Sequence, residues 1–306
     1  MTFCGKTKQE IASIELEDCC NASRLYGMLS FAKSFSKDRI MISSMDKQVI
    51  LCAGTCLQRF GIHPDKIEYA INGRTKTLLI NDRQVTDRIL SDFGYSGDEP
   101  NYRLLSQNFR CEKCKPAFFS GSFMSGGNIT EPARNYRLEF STHRYAYYTD
   151  FTLLLNAAGF HPKLSERKSL KRVIYFKDSE QIEDFLVYIG AQNAAMEVMN
   201  EKIYKGVINR VNRQTNCENA NIDKIVKASE ADRIKIARIF SSAGEESLSG
   251  DLREIAMLRV DNPELSLAEI GKLIQPNLSK SGVNHRLNRI RAIANEIMGY
   301  SHDEHG

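Results

Sequence analysis

The sequence predicts an α+β fold in which a duplicated α/β domain is followed by a smaller all-α domain. Three observations lead to this prediction. Two segments of about 70 residues repeat one order of helical and strand-like patterns. The C-terminal part of the chain spaces its apolar residues as helices do. The composition, with 42% apolar and 26% charged residues, is typical of folded globular proteins.

The length of 306 residues is enough for about two domains, since a domain takes roughly 150 residues. The net charge of +4 excludes neither a nucleic-acid partner nor an enzyme. The longest stretch without charged residues is 116–130, and it is rich in Gly and Ser. Because a transmembrane helix needs about 20 mostly apolar residues, no membrane span is expected. The first ten residues lack the apolar run of a signal peptide. We therefore expect a cytoplasmic protein without membrane contact.

The two copies are predicted over about 20–95 and 114–192, within a domain that covers 1–205. Each is expected to run helix, strand, helix, two strands and helix. In the first copy these elements fall at 25–35, 39–43, before Gly61, at 67–71 and 76–80, and after Asp82. In the second copy they fall at 118–127, 136–141, before Gly159, near 163–168 and 172–176, and at 178–190.

Matched glycines support the duplication. Gly27 and Gly121, Gly61 and Gly159, and Gly94 and Gly190 form pairs that lie 94 to 98 residues apart. Gly61 and Gly159 each precede an apolar residue followed by His and Pro. Glycine suits the left-handed end of a helix and proline cannot continue one, so both pieces are predicted helix stops.

A basic linker is predicted over 206–225, between the duplicated domain and a C-terminal domain at 226–306. The wider segment 199–240 holds nine Lys/Arg against five Asp/Glu, which equals the surplus of the whole chain. Its asparagines suggest a helix that gives way to a turn-rich joint. Arg210 and Arg213 are candidate phosphate contacts; the alternative is a structural strut.

The C-terminal domain is predicted to contain a helix-turn-helix. Ser266 and Glu269 fit a capping box that starts a short helix, and Pro276 interrupts it. A helix of about five turns then begins after Ser279, with an apolar stripe that includes Val283 and Leu287. In such a pair the second helix enters the major groove of DNA.

The opposite face of this second helix supplies the candidate DNA contacts. Four side chains are assigned to base edges: Ser281, Asn284, His285 and Asn288. Four cations complete the face, the first three of them assigned to phosphates: Lys280, Arg286, Arg289 and Arg291. The alternative is a charged, solvated surface.

Four stretches together resemble one known family. The segment FFSGSFMSGGNI (118–129) resembles the LAGLIDADG helix of homing endonucleases, and more closely its variant in the bacterial WhiA family. RNYRLEFST (134–142), NRVNRQTNCENAN (209–221) and SLAEIGKLIQPNLSKSGVNHRLNRI (266–290) are also similar to that family. The resemblance spans nearly the whole chain. It implies a LAGLIDADG homing-endonuclease-like domain joined to a helix-turn-helix, with roles in transcription control, cell division or chromosome segregation, and sporulation in sporulating relatives.

The LAGLIDADG motif is degenerate in this sequence. Small residues persist along both motif helices: Gly27 and Ser30 in the first copy, and Ser120, Gly121, Ser125 and Gly126 in the second. The catalytic acidic positions, however, fall on Ala32 and Gly126, and the motif's earlier Asp on Ser30 and Met124. Metal-assisted cleavage needs carboxylate ligands for its metal ions. We expect no catalytic residues and no nuclease activity, unless Glu131 and Asp38 substitute.

The sequence therefore predicts a non-enzymatic protein that binds double-stranded DNA with sequence preference and is associated with the nucleoid. An active endonuclease and an interaction scaffold without DNA affinity are the alternatives. The strands of the duplicated domain are a second candidate DNA surface, equally compatible with a solvated scaffold, because basic residues gather in the second copy. They are Lys163, Arg167, Lys168, Lys171 and Arg172. Protein partners, oligomeric state and operator stay open.

Eight irregularly spaced cysteines are expected as thiols, without disulfides. Cys111 and Cys114 have the spacing of half a zinc knuckle, but no second Cys/His pair stands near them in the sequence. Cys19 and Cys20 are expected to serve helix packing. The sequence predicts no metal ion and no cofactor.

Overall fold

The computed structural model describes residues 1–166 and 171–300. The chain divides into two compact units, Met1–Lys205 and Gly206–Gly306. The first unit begins with helix α1 (Phe3–Ala12). Among the described helices, none is both long and apolar enough to cross a membrane.

The first copy forms a four-stranded antiparallel sheet with three helices. Its strands follow the order β1-β2-β4-β3. In chain order the elements are α2 (Asp18–Ser30), β1 (Ser34–Phe35), β2 (Ile40–Ser44), α3 (Lys47–Arg59), β3 (Glu68–Asn72), β4 (Thr75–Ile80) and α4 (Arg83–Asp92).

The second copy repeats this topology, with strand order β5-β6-β8-β7. Its elements are α5 (Cys114–Gly126), β5 (Gly127–Ile129), β6 (Leu138–Thr142), α6 (Tyr145–Ala157), β7 (Lys163–Glu166), β8 (Arg172–Phe176) and α7 (Ser179–Tyr188). The fold class predicted from the sequence is confirmed, but each copy has one strand more than expected. β1 and β5 have two and three residues, too few for alternation to reveal them.

The predicted helix stops are also confirmed. Gly61, Gly94, Gly159 and Gly190 follow the helices α3, α4, α6 and α7, with φ between 86° and 89°. Residues other than glycine rarely adopt this left-handed conformation, so glycine ends these four helices in both copies.

Aromatic side chains form much of the core of the first unit. Phe118 and Phe119 on α5 pack near Phe151 of α6, which lies 4.8 Å, between ring centroids, from Phe140 of β6. Phe31, which follows α2 in the first copy, also lies 4.8 Å from Phe151. One continuous core therefore joins the two copies.

Helix α8 (Gln192–Ala243) runs without interruption from the first unit into the second. Its start is capped by Glu10, whose carboxylate accepts hydrogen bonds from the backbone N–H groups of Asn193 (2.7 Å) and Ala194 (3.1 Å). The prediction of a turn-rich joint near the asparagines is wrong. Asparagine is only a moderately poor helix former, and 206–224 is continuous exposed helix.

The second unit continues with α9 (Gly250–Asp261), α10 (Leu267–Leu273) and α11 (Lys280–Tyr300). Apolar side chains from these helices and from the end of α8 form its core. Leu252 and Ile255 of α9 and Ile270 of α10 meet Val283 and Leu287 of α11 there. The unit is therefore helical throughout its described core, as expected from the sequence.

Candidate nucleic-acid interface

The start of α10 has the capping geometry predicted from the sequence. Ser266 Oγ accepts a hydrogen bond from the Glu269 N–H (3.3 Å), and the Ser266 N–H donates to Glu269 Oε2 (2.8 Å). At the start of α11, Ser279 Oγ accepts from the Gly282 N–H (3.2 Å). These local bonds satisfy backbone donors that a helix start otherwise leaves free.

The segment between α10 and α11 is held by a close approach at Gly271. The Gly271 carbonyl accepts a hydrogen bond from the Leu278 N–H at 2.9 Å. A Cβ at position 271 would lie 2.2 Å from the Leu278 carbonyl oxygen and 3.2 Å from a methyl group of Val283. Only glycine permits this packing, which sets α10 against α11.

One face of α11 is buried and the other is exposed. Val283, Leu287, Ile290 and Ala294 are at most 1% exposed, as the predicted apolar stripe requires. The opposite side presents a set of exposed polar and basic residues, which we call the exposed face of α11: Lys280, Ser281, Asn284, His285, Asn288 and Arg289. These groups can pair with base edges or phosphates without rearrangement of the core.

Two of the predicted contact residues are arginines that already have acidic partners. Arg291 forms a bidentate ion pair with Asp232 of α8, with Nε–Oδ1 and Nη2–Oδ2 distances of 2.6 and 3.0 Å. Arg286 lies 3.5 Å from the carboxylate of Asp251 and is only half exposed. The structure thus places Arg291 within the packing of the second unit, whereas Arg286 lies at the margin of the exposed face.

Asp232 also pairs with Arg259, a residue that the sequence reasoning missed. Arg259 is 2% exposed; its Nε lies 3.5 Å from Asp232, and its Nη1 donates to the Leu265 carbonyl at 2.8 Å. Burial lowers the pKa of Arg259, and the charge of Asp232 opposes that shift. One carboxylate therefore joins α8, α9 and α11. The sequence does contain a signal for this buried pair. Arg259 lies three residues after Ala256, on the apolar face of α9, where a charged residue is expected only if it is paired.

Arg210 and Arg213 lie on α8, in the stretch where every residue is exposed. The helix there is supported by a hydrogen bond from Gln214 to Glu218, at spacing i,i+4. Both arginines are placed on a regular helix and not in the predicted joint.

In the first unit, α2 and α5 pack against each other through their glycines. A Cβ on Gly27 would lie 2.1 Å from the Phe118 carbonyl oxygen, and one on Gly121 would lie 1.9 Å from the Arg24 carbonyl oxygen. Arg24, itself buried, donates to Ser120 Oγ across the pair at 3.2 Å. The small residues along the motif thus allow the backbones to touch, as the resemblance implied.

The two positions onto which the sequence analysis maps the catalytic acids of the motif, 32 and 126, hold no carboxylate. Ala32 lies just beyond α2, and Gly126 is the last residue of α5. A Cβ on Gly126 would lie 2.3 Å from the Phe31 ring, which crosses into the core of the second copy there. The space that an acidic side chain needs is therefore filled by an aromatic ring.

Neither alternative carboxylate lies in a cluster of metal ligands among the described residues. Asp38 and Glu131 are exposed in the hairpins that follow β1 and β5. Glu131 lines a cavity that also holds Asp46 and the two cations Lys8 and Arg134. Over residues 1–166 and 171–300, neither acid belongs to a group of three or more potential metal ligands that approach one another.

Among the described basic residues of the second copy, Arg172 is engaged with neighbouring side chains. Arg172 lies 3.0 Å from Glu166 and 4.8 Å from the centroid of the Tyr145 ring. Lys163 is exposed on β7 and Lys171 is half exposed. Arg167 and Lys168 lie outside the described residues.

The fold and this surface define a class of protein, in which a duplicated LAGLIDADG-like domain is joined to a C-terminal helix-turn-helix. Comparison with known sequences agrees. A model of the WhiA LAGLIDADG-like domain matches residues 115–207, and a model of the WhiA C-terminal HTH domain matches residues 211–294.

The chain belongs to the WhiA family. It is 35% identical over 315 aligned residues to a probable cell division protein WhiA from Ruminiclostridium cellulolyticum, with 97% of this chain and 98% of that protein covered. It is 36% identical over 249 residues to a protein of the same name from Clostridium botulinum, with 78% and 79% covered. The crystal structure of full-length DUF199/WhiA from Thermotoga maritima has the same fold, with a TM-score of 0.61, 24% identity, and 97% and 99% of the two chains covered.

Proposed function

We propose that this protein is a non-enzymatic regulator that binds double-stranded DNA with sequence preference through α11. The observation that carries the proposal is the division of α11 into a buried apolar face and an exposed face of six polar or basic residues. In a helix-turn-helix the second helix reads the major groove with its N-terminal residues. All six residues lie in the first half of α11.

Roles are assigned by chemistry. Asn284 and Asn288 carry amides that can form paired hydrogen bonds with a base edge, and Ser281 and His285 supply further polar groups. Lys280 and Arg289 are assigned to phosphates, together with Arg286 at the margin. Arg210 and Arg213 on α8 are proposed as further phosphate contacts. Arg291 is reassigned from direct contact to positioning, because its Nη1 donates to Asn288 Oδ1 at 2.8 Å.

The test is a salt-titrated binding measurement on duplexes selected by the protein. Lys280→Ala with Arg289→Ala should weaken binding to all duplexes and reduce the salt slope by about 2, since each phosphate contact contributes roughly 0.9. Arg253→Ala is the matched control, because Arg253 is a cation of the same unit paired with Glu245 at 3.1 Å. Unchanged affinity and slope in the double variant would exclude the assignment.

A second measurement distinguishes sequence preference from overall affinity for DNA. Asn284→Ala should relax the preference at one base position by about 1–3 kcal/mol and leave binding to unrelated duplexes nearly unchanged. A variant that loses affinity equally for every sequence would place Asn284 among the phosphate contacts instead.

We propose that the first unit does not cleave DNA. The support is the absence of carboxylates at positions 32 and 126 and the Phe31 ring that fills the space beside Gly126. Supercoiled plasmid incubated with the protein and Mg²⁺ or Mn²⁺ should stay supercoiled. Metal-dependent nicking that disappears in Glu131→Ala or Asp38→Ala would overturn the proposal.

We further propose a role in transcription control linked to cell division or chromosome segregation. The relatives in Ruminiclostridium and Clostridium are named probable cell division proteins, and this chain shares nearly the full length of the first. A sequence-preferring DNA-binding protein without catalytic activity is chemically suited to such a role at the nucleoid.

A further inference from the structure

Four cysteines from distant parts of the sequence come together at the N-terminal ends of α2 and α5. Cys19 and Cys20 lie in the first turn of α2, Cys114 is the first residue of α5, and Cys111 lies in the turn before it. We call these four residues the cysteine cluster. No second pair stands near Cys111 and Cys114 in the sequence, but the fold brings Cys19 and Cys20 to them across a gap of 92 residues.

The sulfur positions approach a tetrahedron. Cys111 Sγ lies 3.5 Å from Cys20 Sγ, 3.5 Å from Cys114 Sγ and 3.7 Å from Cys19 Sγ, and the Cys19 and Cys20 sulfurs are 4.0 Å apart. All four atoms lie within 4.8 Å of one another. A zinc ion with four thiolates at about 2.3 Å separates the sulfurs by about 3.8 Å. The spacing thus suits one metal ion at the centre.

The surroundings suit such a charged centre. One Zn²⁺ with four thiolates carries a net charge of −2, and the positive ends of both helix dipoles point to this site. Cys20 and Cys114 are buried in a small apolar cluster with Ala117, whereas Cys111 is exposed and leaves a route for the ion. Water is thereby kept from most of the site.

Hydrogen bonds that do not involve the sulfur atoms fix the geometry of the cluster. The Cys114 N–H donates to the Cys111 carbonyl at 3.1 Å, which closes the Cys-x-x-Cys turn. Ser23 of α2 donates to the Asn108 carbonyl at 2.7 Å and ties the segment before Cys111 to the same helix. The two halves of the cluster are therefore held together by contacts that need no metal.

We propose that Cys19, Cys20, Cys111 and Cys114 bind one structural Zn²⁺ that clamps the N-terminal ends of α2 and α5. Binding converts the thiols to thiolates and releases their protons to solvent. A closed four-cysteine site leaves no position for a reactive water, so the ion is structural. It lies at the helix ends opposite to Ala32 and Gly126, about 20 Å along 13-residue helices.

The first test is metal analysis of the full-length protein purified under reducing conditions without chelator. We expect about one zinc per chain, as a four-cysteine site holds one ion. Cys111→Ser with Cys114→Ser should reduce zinc to background, and Cys217→Ser, which changes an exposed cysteine outside the cluster, should not. Replacement of zinc by Co²⁺ in the wild-type protein should give the charge-transfer and visible bands of tetrahedral thiolate coordination.

The wild-type protein keeps the test decisive if the double variant fails to fold. X-ray absorption at the zinc edge should show four sulfurs at about 2.3 Å. The proposal would be overturned by a folded wild-type chain whose four cluster cysteines are free thiols and that takes up neither Zn²⁺ nor Co²⁺. A mixed nitrogen/oxygen shell, bound iron in place of zinc, or a disulfide within the cluster would also overturn it.

Discussion

At the scale of single residues, α11 divides its polar groups into two kinds. Asn284 and Arg289 are exposed, whereas Arg291 is committed to the buried carboxylate of Asp232. Two arginines two residues apart thus have different tasks, because successive positions on a helix point about 100° apart. The same helix provides both the proposed DNA-binding surface and an ion pair that holds α11 to α8.

This difference predicts separable effects of substitution. Arg291→Ala should lower the free energy of unfolding of the second unit by about 1.5–3 kcal/mol, since Asp232 loses a charge-assisted bidentate partner. Arg289→Ala should leave that free energy nearly unchanged and weaken DNA binding. Urea denaturation followed by circular dichroism measures the first effect. Equal stabilities of the two variants would contradict the assignment of Arg291.

At the scale of elements, the contact between α2 and α5 depends on glycine. Gly121 admits the Arg24 carbonyl at a distance where any Cβ would overlap it. The helices therefore meet backbone to backbone, and the core of both copies forms around them. Tight packing of this kind cannot absorb an added methyl group without displacement.

Gly121→Ala should accordingly destabilise the first unit by about 1–3 kcal/mol or more, the usual cost of overpacking. Gly206→Ala is a matched control, because Gly206 is helical and a Cβ there would meet no atom within 4 Å. That variant should be neutral or up to about 1 kcal/mol more stable, as alanine is the better helix former. Thermal unfolding of both variants measures these effects on stability. If Gly121→Ala were as stable as the wild-type protein, α2 and α5 could move apart without loss of stability, and the prediction would be wrong.

At the scale of the whole molecule, the chain combines a LAGLIDADG-like domain with a helix-turn-helix. We propose that target choice rests with α11, while the first unit and α8 add affinity that is independent of sequence. The exposed cations of α8 and the partly engaged ones of the second copy fit that division.

Genome-wide occupancy of the intact protein should show this division. Asn284→Ala with Asn288→Ala should lose discrete sites and retain at most a diffuse background, because the sequence-independent contacts remain. Arg210→Ala with Arg213→Ala should lower occupancy at all sites and leave their order unchanged. Retention of the same discrete sites by the first variant would show that the first unit selects the target.

Much of the architecture follows from the sequence because its determinants are local. Capping at Ser266, helix ends at Gly61 and Gly159, and the stripe through Val283 depend on residues within a few positions of one another. The strands β1 and β5 were not predicted because segments of two and three residues are too short to show an alternating apolar pattern. The continuity of α8 was not predicted, because the low helix propensity of a few asparagines is outweighed by the cooperative stabilisation of a long helix.

The sequence by itself determined the duplication, the helix-turn-helix and the loss of acidic residues at positions 32 and 126. Only the tertiary structure showed that Asp232 holds both Arg259 and Arg291, that Phe31 occupies the space beside Gly126, and that Cys19 and Cys20 meet Cys111 and Cys114. Periodicity and capping act over one or two helical turns, so sequence alone reveals them. These contacts join residues from 27 positions apart (Asp232 and Arg259) to 95 positions apart (Phe31 and Gly126), so they exist only once the chain has packed.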